Sequence, residues 1–97
     1  MSNIFECFVG KHCIIRTYSA GVHMGVVKAV GEKSVILQNV KRLWFWKGAF
    51  TLNEVATIGI GSGSRVSIEV EEIGLTEVIE YLPTTEKARG TYEKYIE

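Results

Sequence analysis

Three runs of β-branched and aromatic residues, separated by two very short turns, dominate the first half of the chain. The runs cover residues 12–19, 22–30 and 34–40, and small or polar turn residues separate them at 19–21 and 31–33. Connections this short join antiparallel neighbours. A further run, residues 42–46, is either a fourth strand or the extension of the third strand past Asn39. The pattern predicts an antiparallel meander, which is the usual beginning of a small barrel.

The second half of the chain predicts two short helices around two further strands. Residues 51–54 fit a capping box, with Thr51 as N-cap and Glu54 three residues later, so a helix of about two turns should begin there and end near Gly59. Residues 61–64 have the composition of a flexible loop. A final helix should open at residues 83–86, with a threonine as its cap.

Between these helices, residues 65–71 alternate apolar and polar side chains, with Val66, Ile68 and Val70 on the apolar positions. This alternation predicts a half-buried strand, and residues 77–82 predict another. The sequence therefore predicts an α+β fold that is mainly β: a small antiparallel sheet or open barrel with one short helix after the tryptophan strand and a short C-terminal helix. At 97 residues the expected organisation is a single domain over residues 1–97.

Composition narrows the class of protein. A hydrophobic content of 46% excludes a disordered chain. A domain this small buries a modest share of its surface, so a homo-oligomer, a dimer or tetramer, is a natural way to add burial. No apolar run approaches the roughly 18–20 residues of a membrane span, and no secretory leader pattern opens the chain. Cys7 and Cys13 lack a metal-type spacing, so a cytosolic chain with reduced thiols is expected.

The net charge of zero conceals an uneven distribution along the chain. Residues 11–47 hold seven lysines and arginines against one glutamate, whereas residues 48–97 hold four against nine. A basic half indicates an anionic ligand, and an acidic half argues against a long nucleic acid. The alternative is that the two halves interleave in space and their fields cancel.

The chain contains no aspartate, which bears on its chemistry. Metal-dependent phosphodiesterases commonly hold their metal with aspartate carboxylates, and a Ser-His-Asp triad is impossible here. His12 and His23 are the only acid–base histidines, and their spacing matches no catalytic arrangement. We therefore expect a protein that is not an enzyme, with no catalytic residue, no bound metal and no cofactor.

Both tryptophans lie in one short stretch, Arg42-Leu43-Trp44-Phe45-Trp46. In an extended strand Arg42, Trp44 and Trp46 share one face, and Leu43 and Phe45 point the other way into a core. A guanidinium beside two indoles suits a flat, anionic ligand, because indole stacks on a base and guanidinium pairs with phosphate. The alternative is that the tryptophans pack under a neighbouring strand or at a subunit interface.

A second stretch with binding potential runs from Arg16 to Gly25. Arg16 and Tyr18 share a strand face that leads into a turn of small residues, where a phosphate could meet Arg16, a hydroxyl and backbone amides. His23 could bond a base or a phosphate, or it could be a satisfied structural residue. The alternative for the whole stretch is an ordinary hairpin. The candidate ligand-binding residues here are Arg16, Tyr18, Ser19, Ala20, Gly21 and His23.

The candidate site continues from the tryptophan strand into the first helix. Lys47 adds a cation, and the amides at the helix start could accept a phosphate. Glu54 would compete with such an anion, which favours a pure capping role for Thr51 and Glu54. If Glu54 does touch a ligand, it would accept a hydrogen bond from a base edge. The candidate residues of this stretch are Arg42, Trp44, Trp46, Lys47, Thr51 and Glu54.

These stretches, read as RTYSAGVHxG at residues 16–25 and WxWxGAxTLxE at residues 44–54, resemble a family of small phage and prophage proteins, and residues 77–83 also fit its pattern. The family is identified with the phage anti-CBASS sponges. The resemblance implies immune evasion by binding and sequestering cyclic nucleotide messengers of the host CBASS defence, such as 3′,3′-cGAMP, without cleaving them. It also implies a cyclic dinucleotide or oligonucleotide ligand, a homo-oligomer, no membrane partner and action in the host bacterial cytoplasm.

Two other classes remain open from the residues. A small basic barrel with exposed aromatic rings could bind single-stranded nucleic acid. Alternatively, the tryptophans could anchor an interface with a host protein.

Overall fold

The chain folds into a curled, six-stranded antiparallel sheet with two short α-helices on one face; the computed structural model describes residues 3–96. The expected α+β, mainly β fold is confirmed. The strands are β1 (His12–Thr17), β2 (Val22–Val30), β3 (Val35–Phe45), β4 (Arg65–Val66), β5 (Val70–Leu75) and β6 (Val78–Pro83). The α-helices are α1 (Leu52–Thr57) and α2 (Glu86–Tyr92), and 3-10 helices cover Ile4–Phe8 and Glu93–Tyr95.

The predicted meander is present as β1, β2 and β3. Residues His12 to Arg16 pair with Val26 to Val22, and β2 pairs in turn with β3. The tryptophan strand is the continuation of the third strand, because β3 runs unbroken from Val35 to Phe45. Asn39 adopts a φ of +54° within β3, beside a shift in the β2–β3 register. This irregularity bends the long strand without ending it.

The connectivity of the sheet forces it to curl. Its strand order is β4-β3-β2-β1-β6, and β5 also pairs with β3. β5 and β6 therefore lie at opposite ends of the order, yet only Thr76 and Glu77 separate them in the chain. The turn between β2 and β3 also reaches the start of β6, where the Val78 N–H donates to the Lys33 carbonyl at 2.9 Å. The sheet thus curls around one of its faces as an open barrel, in which β5 and β6 do not pair.

Each face of the sheet carries its own hydrophobic core. We call the first the helix-side core; α1 and α2 cover it, and it contains Ile14, Met24, Leu43, Val55, Ala56, Ile60, Val66, Ala88 and Tyr92. The second is the barrel-side core, inside the curl, which contains Cys13, Ile15, Val27, Val35, Leu37, Val40 and Leu75. Neighbouring residues of β1 alternate between the two cores, as the period of two requires.

Both helices begin at the threonines that the sequence indicates. The Thr51 hydroxyl oxygen accepts from the Glu54 N–H at 3.3 Å, and the Thr85 hydroxyl oxygen accepts from the Ala88 N–H at 3.1 Å. The 3-10 helix Ile4–Phe8 was not predicted. Its Phe5 and Phe8 rings stack on the Tyr81 ring, with centroids 5.0 and 5.1 Å away.

The prediction of one continuous, alternating strand over residues 65–71 is wrong, because the segment is divided between β4 and β5. Between β4 and β5 the chain does not continue the regular pairing with β3. Instead, the Ser67 hydroxyl accepts a hydrogen bond from the Arg42 N–H at 2.7 Å, and the Ser67 N–H donates to the Arg42 carbonyl. This bulge breaks the alternation, so Val66 is fully buried while Ile68 is 64% exposed and Val70 is also exposed.

Gly25 lies in β2 where the paired strand β3 leaves no room for a side chain. A Cβ there would lie 2.9 Å from the Gln38 carbonyl oxygen and 3.3 Å from the Val40 side chain. We expect Gly25→Ala to lower the free energy of unfolding by about 1–3 kcal/mol, because neighbouring backbone must move. Gly74→Ala in β5 is the matched control, since a Cβ there meets nothing within 4 Å. Urea denaturation of both variants measures the difference; equal effects would contradict the steric argument.

Candidate functional site

The register of the sheet brings the two candidate stretches to the same end of the barrel. Val22 pairs with Leu43, and His23 pairs with Arg42. The β1–β2 turn, residues 18–21, therefore lies beside the end of β3 that carries Trp44. We call this end, formed by the turn, residues 42–45 and the facing β4 residues, the aromatic rim.

Trp44 is the central exposed ring of the aromatic rim. Its side chain is 53% exposed, and the Arg65 guanidinium lies over the indole with its carbon 5.1 Å from the ring centroid. A cation over an aromatic face is attracted by the ring quadrupole, so Arg65 orients the indole. Arg65 comes from β4 and was not among the predicted site residues, because only the β3–β4 pairing reveals its place.

The next two residues of β3 differ from the prediction. Phe45 is 44% exposed and is not a core residue; the Lys47 ammonium lies 5.9 Å from its ring centroid. Trp46 does not share the exposed face with Trp44, because it packs against the helix-side core. The cause is a register shift between Leu43 and Phe45, after which the strand ends and its alternation stops.

Lys47 and Gly48 lie in the loop that follows β3, directly after the aromatic rim. The Gly61 N–H donates to the Lys47 carbonyl at 2.7 Å, and the Lys47 N–H donates to the Ser64 hydroxyl at 2.9 Å. Gly48 has a φ of +85°, and a Cβ there would lie 2.9 Å from the Gly61 nitrogen. The two loops therefore fix the backbone direction in which the chain leaves β3.

A shallow groove adjoins Arg42 on the barrel side. Its volume is about 190 Å³, and its lining residues are Val40, Arg42, Ser67, Ile68, Val70 and Ile73. The Arg42 backbone is held by Ser67, while its side chain is exposed. Among residues 3–96, no carboxylate lies within ion-pairing distance of the Arg42 guanidinium. The groove thus combines an apolar floor with an available cation.

The β1–β2 turn presents Tyr18, which is 80% exposed. Thr17 holds the turn from below: its hydroxyl donates to the Gly21 carbonyl at 2.9 Å and accepts from the Ala20 N–H at 2.9 Å. Gly21 has a φ of +86°, which suits glycine. The turn is therefore a fixed platform for the exposed tyrosine ring.

The turn also contacts the β5–β6 connection. The Ser19 hydroxyl donates to a Glu77 carboxylate oxygen at 3.3 Å, and the Tyr18 N–H donates to the Glu77 carbonyl at 3.0 Å. Arg16, by contrast, is occupied by an ion pair with Glu80 at 3.2 Å. Both partners of that pair are half exposed, so an anion would have to compete with Glu80 for Arg16.

His23 lies under the turn and is fully buried. Its Nε2 is 3.0 Å from the Ala20 carbonyl, which can only accept, so Nε2 carries the proton. Within the described residues Nδ1 has no hydrogen-bond partner. Burial lowers the pKa of His23, with the Ala20 hydrogen bond opposing and the Arg42 charge lowering it further. The neutral ring therefore supports the turn from inside the barrel.

Thr51 and Glu54 are not brought to the aromatic rim. They belong to α1, whose Val55 and Ala56 enter the helix-side core, on the other face of the sheet from Arg42. Thr51 caps the helix there. The capping interpretation is the one that this geometry supports.

The two charge halves of the sequence interleave in space. Each ion pair in residues 3–96 joins a cation of the first half to a carboxylate of the second: Arg16 to Glu80, Lys28 to Glu72, and Lys41 to Glu69 and Glu93. Burial of Lys41 opposes its charge, yet the hydrogen bonds that its ammonium donates to Glu93 and Glu69 raise its pKa. The basic half therefore does not act as one positive surface. An anionic ligand would be attracted by individual cations at the rim, such as Arg42.

The two histidines lie on opposite faces of the sheet. His23 pairs with Ile15 of the barrel-side core, whereas the His12 ring stacks near Tyr92 under the helices, at 6.1 Å. In residues 3–96, no three His, Cys, Asp or Glu side chains cluster as metal ligands would. No helix in that range is long and apolar enough to cross a membrane.

Comparisons with known proteins place the chain in one family. No curated protein and no solved structure matches it. A family profile described as "Domain of unknown function (DUF6948)" matches residues 10–92, from just before β1 to the end of α2. With most of its length matched, the chain belongs to this family, the domain of unknown function DUF6948.

Proposed function

We propose that this protein is a phage immune-evasion protein that binds and sequesters cyclic nucleotide messengers of host CBASS defence, such as 3′,3′-cGAMP, without cleaving them. The observation that carries the proposal is the aromatic rim: Trp44 is exposed, a guanidinium orients it, and Arg42 stands two residues away on the same face. The resemblance of residues 16–25 and 44–54 to the phage sponges supports the same function.

The rim supplies the two interactions that a cyclic dinucleotide needs. Each base offers a flat face, and stacking a base on an aromatic side chain contributes about 1–3 kcal/mol. Trp44 and Tyr18 provide exposed rings for this purpose. Each phosphate can pair with a guanidinium, and the exposed Arg42 side chain is available for one. Two stacked bases with charge-assisted phosphate contacts bring nanomolar affinity within reach.

Sequestration requires affinity and abundance, and it needs no turnover. The two histidines have structural contacts: His12 Nδ1 lies 2.6 Å from the Thr84 hydroxyl, and His23 is buried under the turn. Binding alone lowers the free messenger concentration below the threshold of its effector.

A homo-oligomer fits the openness of the site. In one subunit the rim and its groove are shallow, whereas ligand sites bury most of their ligand. A two-fold ligand suits a site shared by two symmetric copies, so we propose a dimer or tetramer in the host bacterial cytoplasm. Exposed apolar side chains beside the rim, above all Ile68, would lie in such an interface.

Calorimetry with a panel of cyclic di- and trinucleotides tests the proposal. We expect saturable, tight binding of at least one cyclic dinucleotide, and recovery of the intact ligand after the protein is heat-denatured. Linear or hydrolysed product would make the protein an enzyme. The absence of binding to every member of the panel would refute the messenger function.

The exposed apolar residues also support one alternative, a phage module that binds nucleic acid or a host protein. Phe50 and Ile68 are both largely exposed, as interface anchors are before a partner binds. A polymer binder should gain affinity with strand length and lose it steeply with salt. A host-protein inhibitor should bind no cyclic nucleotide and should retain a host partner in pull-downs.

A further inference from the structure

Glu77 lies next to the β1–β2 turn, within reach of a ligand bound there. It lies in the two-residue connection between β5 and β6, and the curl of the sheet brings this connection against the turn. Its carbonyl accepts from the Tyr18 N–H at 3.0 Å, and its carboxylate accepts from the Ser19 hydroxyl at 3.3 Å. The carboxylate therefore lies at the turn, hydrogen-bonded to the residue that follows Tyr18.

The carboxylate of Glu77 retains hydrogen-bonding capacity. An ionised carboxylate accepts about four hydrogen bonds, and Ser19 takes one. Among residues 3–96 Glu77 forms no ion pair, unlike Glu69, Glu72, Glu80 and Glu93. A carboxylate beside a stacking ring, with free acceptor sites, is suited to read the edge of a stacked base.

Guanine and adenine differ in what they offer a carboxylate. The Watson–Crick edge of guanine carries two adjacent donors, N1–H and the N2 amino group, which two carboxylate oxygens can accept together. Adenine offers one donor, its N6 amino group, next to the N1 lone pair. That lone pair would face an acceptor that carries negative charge. A carboxylate at this position therefore favours guanine and disfavours adenine.

We propose that Glu77, which contacts the turn of the aromatic rim, is the specificity-determining residue of the site and that it selects cyclic nucleotides containing guanine, with the guanine stacked on Tyr18. This inference rests on the proposed function, since it names the ligand class of the same site. It also replaces Glu54, which lies on the other face of the sheet, as the carboxylate that meets a base edge.

Titration of wild type and Glu77→Gln with cyclic di-GMP, 3′,3′-cGAMP and cyclic di-AMP tests the assignment. One bidentate base contact contributes about 1–3 kcal/mol of discrimination, or about 5- to 150-fold in affinity. We expect wild type to prefer both guanine-containing ligands to cyclic di-AMP by that factor. A glutamine amide has both a donor and an acceptor, so Glu77→Gln should lose guanine affinity and gain relative affinity for cyclic di-AMP.

Two further variants sharpen the result. Glu71→Gln makes the same charge change on β5, away from the turn, and should leave the preference unchanged. Ser19→Ala removes the hydroxyl that fixes the carboxylate and should reduce the preference in part. Equal wild-type affinity for all three ligands, or an unchanged preference in Glu77→Gln, would overturn the role of Glu77 and leave the proposed function standing. Failure of wild type to bind any of the three would overturn the role of Glu77, and the proposed function falls with it only if the whole panel of cyclic di- and trinucleotides also fails to bind.

Discussion

Replacing Trp44 with alanine is expected to weaken cyclic nucleotide binding by about 5- to 150-fold, the equivalent of one stacked base. The fold should tolerate the change, because the indole is 53% exposed and lies outside both cores. We expect the free energy of unfolding to stay within about 0.5 kcal/mol of wild type, as for other surface positions. Calorimetric titration and urea denaturation of the same preparation measure the two quantities.

Trp46→Ala is the matched control, with the opposite expected profile. Trp46 is only partly exposed and packs against the helix-side core, so its removal leaves a cavity beside Leu43 and its neighbours. We expect a loss of about 2–3 kcal/mol in the free energy of unfolding, below the range for a fully buried tryptophan. Binding per folded molecule should change little. If Trp44→Ala binds as tightly as wild type, the assignment of the rim as the binding site is wrong.

The different roles of the two tryptophans show where sequence reasoning stopped. Alternation predicts the faces of residues only while a strand continues, and β3 ends at Phe45. A register shift against β4 separates Leu43 from Phe45, so Phe45 is exposed and Trp46 turns toward the helices. Residues 42–46 alone do not predict this shift, because it depends on the pairing with β4, which lies about 20 residues later in the chain.

Local signals were sufficient where local chemistry decides the structure. The β1–β2 hairpin follows from two β-rich runs and a small turn, and β2 has the predicted bounds. The two helix starts follow from threonines whose side chains satisfy the free amides of a first turn. These features require only residues within a few positions of one another, which a single sequence displays directly.

Features that depend on the curl of the sheet were beyond the sequence. Glu77 contacts Ser19 across 58 residues, because β1 pairs with β6 and Thr17 faces Val78 in that pairing. The bulge at Ser67 likewise depends on its exchange of hydrogen bonds with Arg42. The uneven charge of the two halves was visible in the sequence, but its neutralisation by ion pairs between the halves required the fold.

Acidification below pH 6.5 is expected to destabilise the fold through His12, before protonation of the carboxylates becomes the main cause of destabilisation. Its Nδ1 lies 2.6 Å from the Thr84 hydroxyl, and its ring stacks near Tyr92. Burial lowers the pKa of His12 from 6.5 to about 4, with the Arg89 and Lys41 charges lowering it further and Glu93 opposing. The folded state therefore holds this ring neutral.

The sign of the effect follows from proton binding. Between pH 6.5 and about 4, the unfolded chain binds a proton at His12 that the folded chain does not, so the free energy of unfolding falls as the pH falls. The full shift corresponds to a loss of up to about 3 kcal/mol across that window. His23, whose pKa is also lowered by burial, adds to the loss in the same direction.

Urea denaturation at pH 7, 6, 5 and 4.5 measures this dependence, and His12→Gln isolates the contribution of His12. The glutamine keeps a polar group near Thr84 but does not titrate, so the slope of unfolding free energy against pH should become shallower in the variant. A residual slope should remain, because His23 is retained. An identical slope in wild type and His12→Gln would show that His12 is not the source, and a flat wild-type profile would contradict the neutral state of both rings.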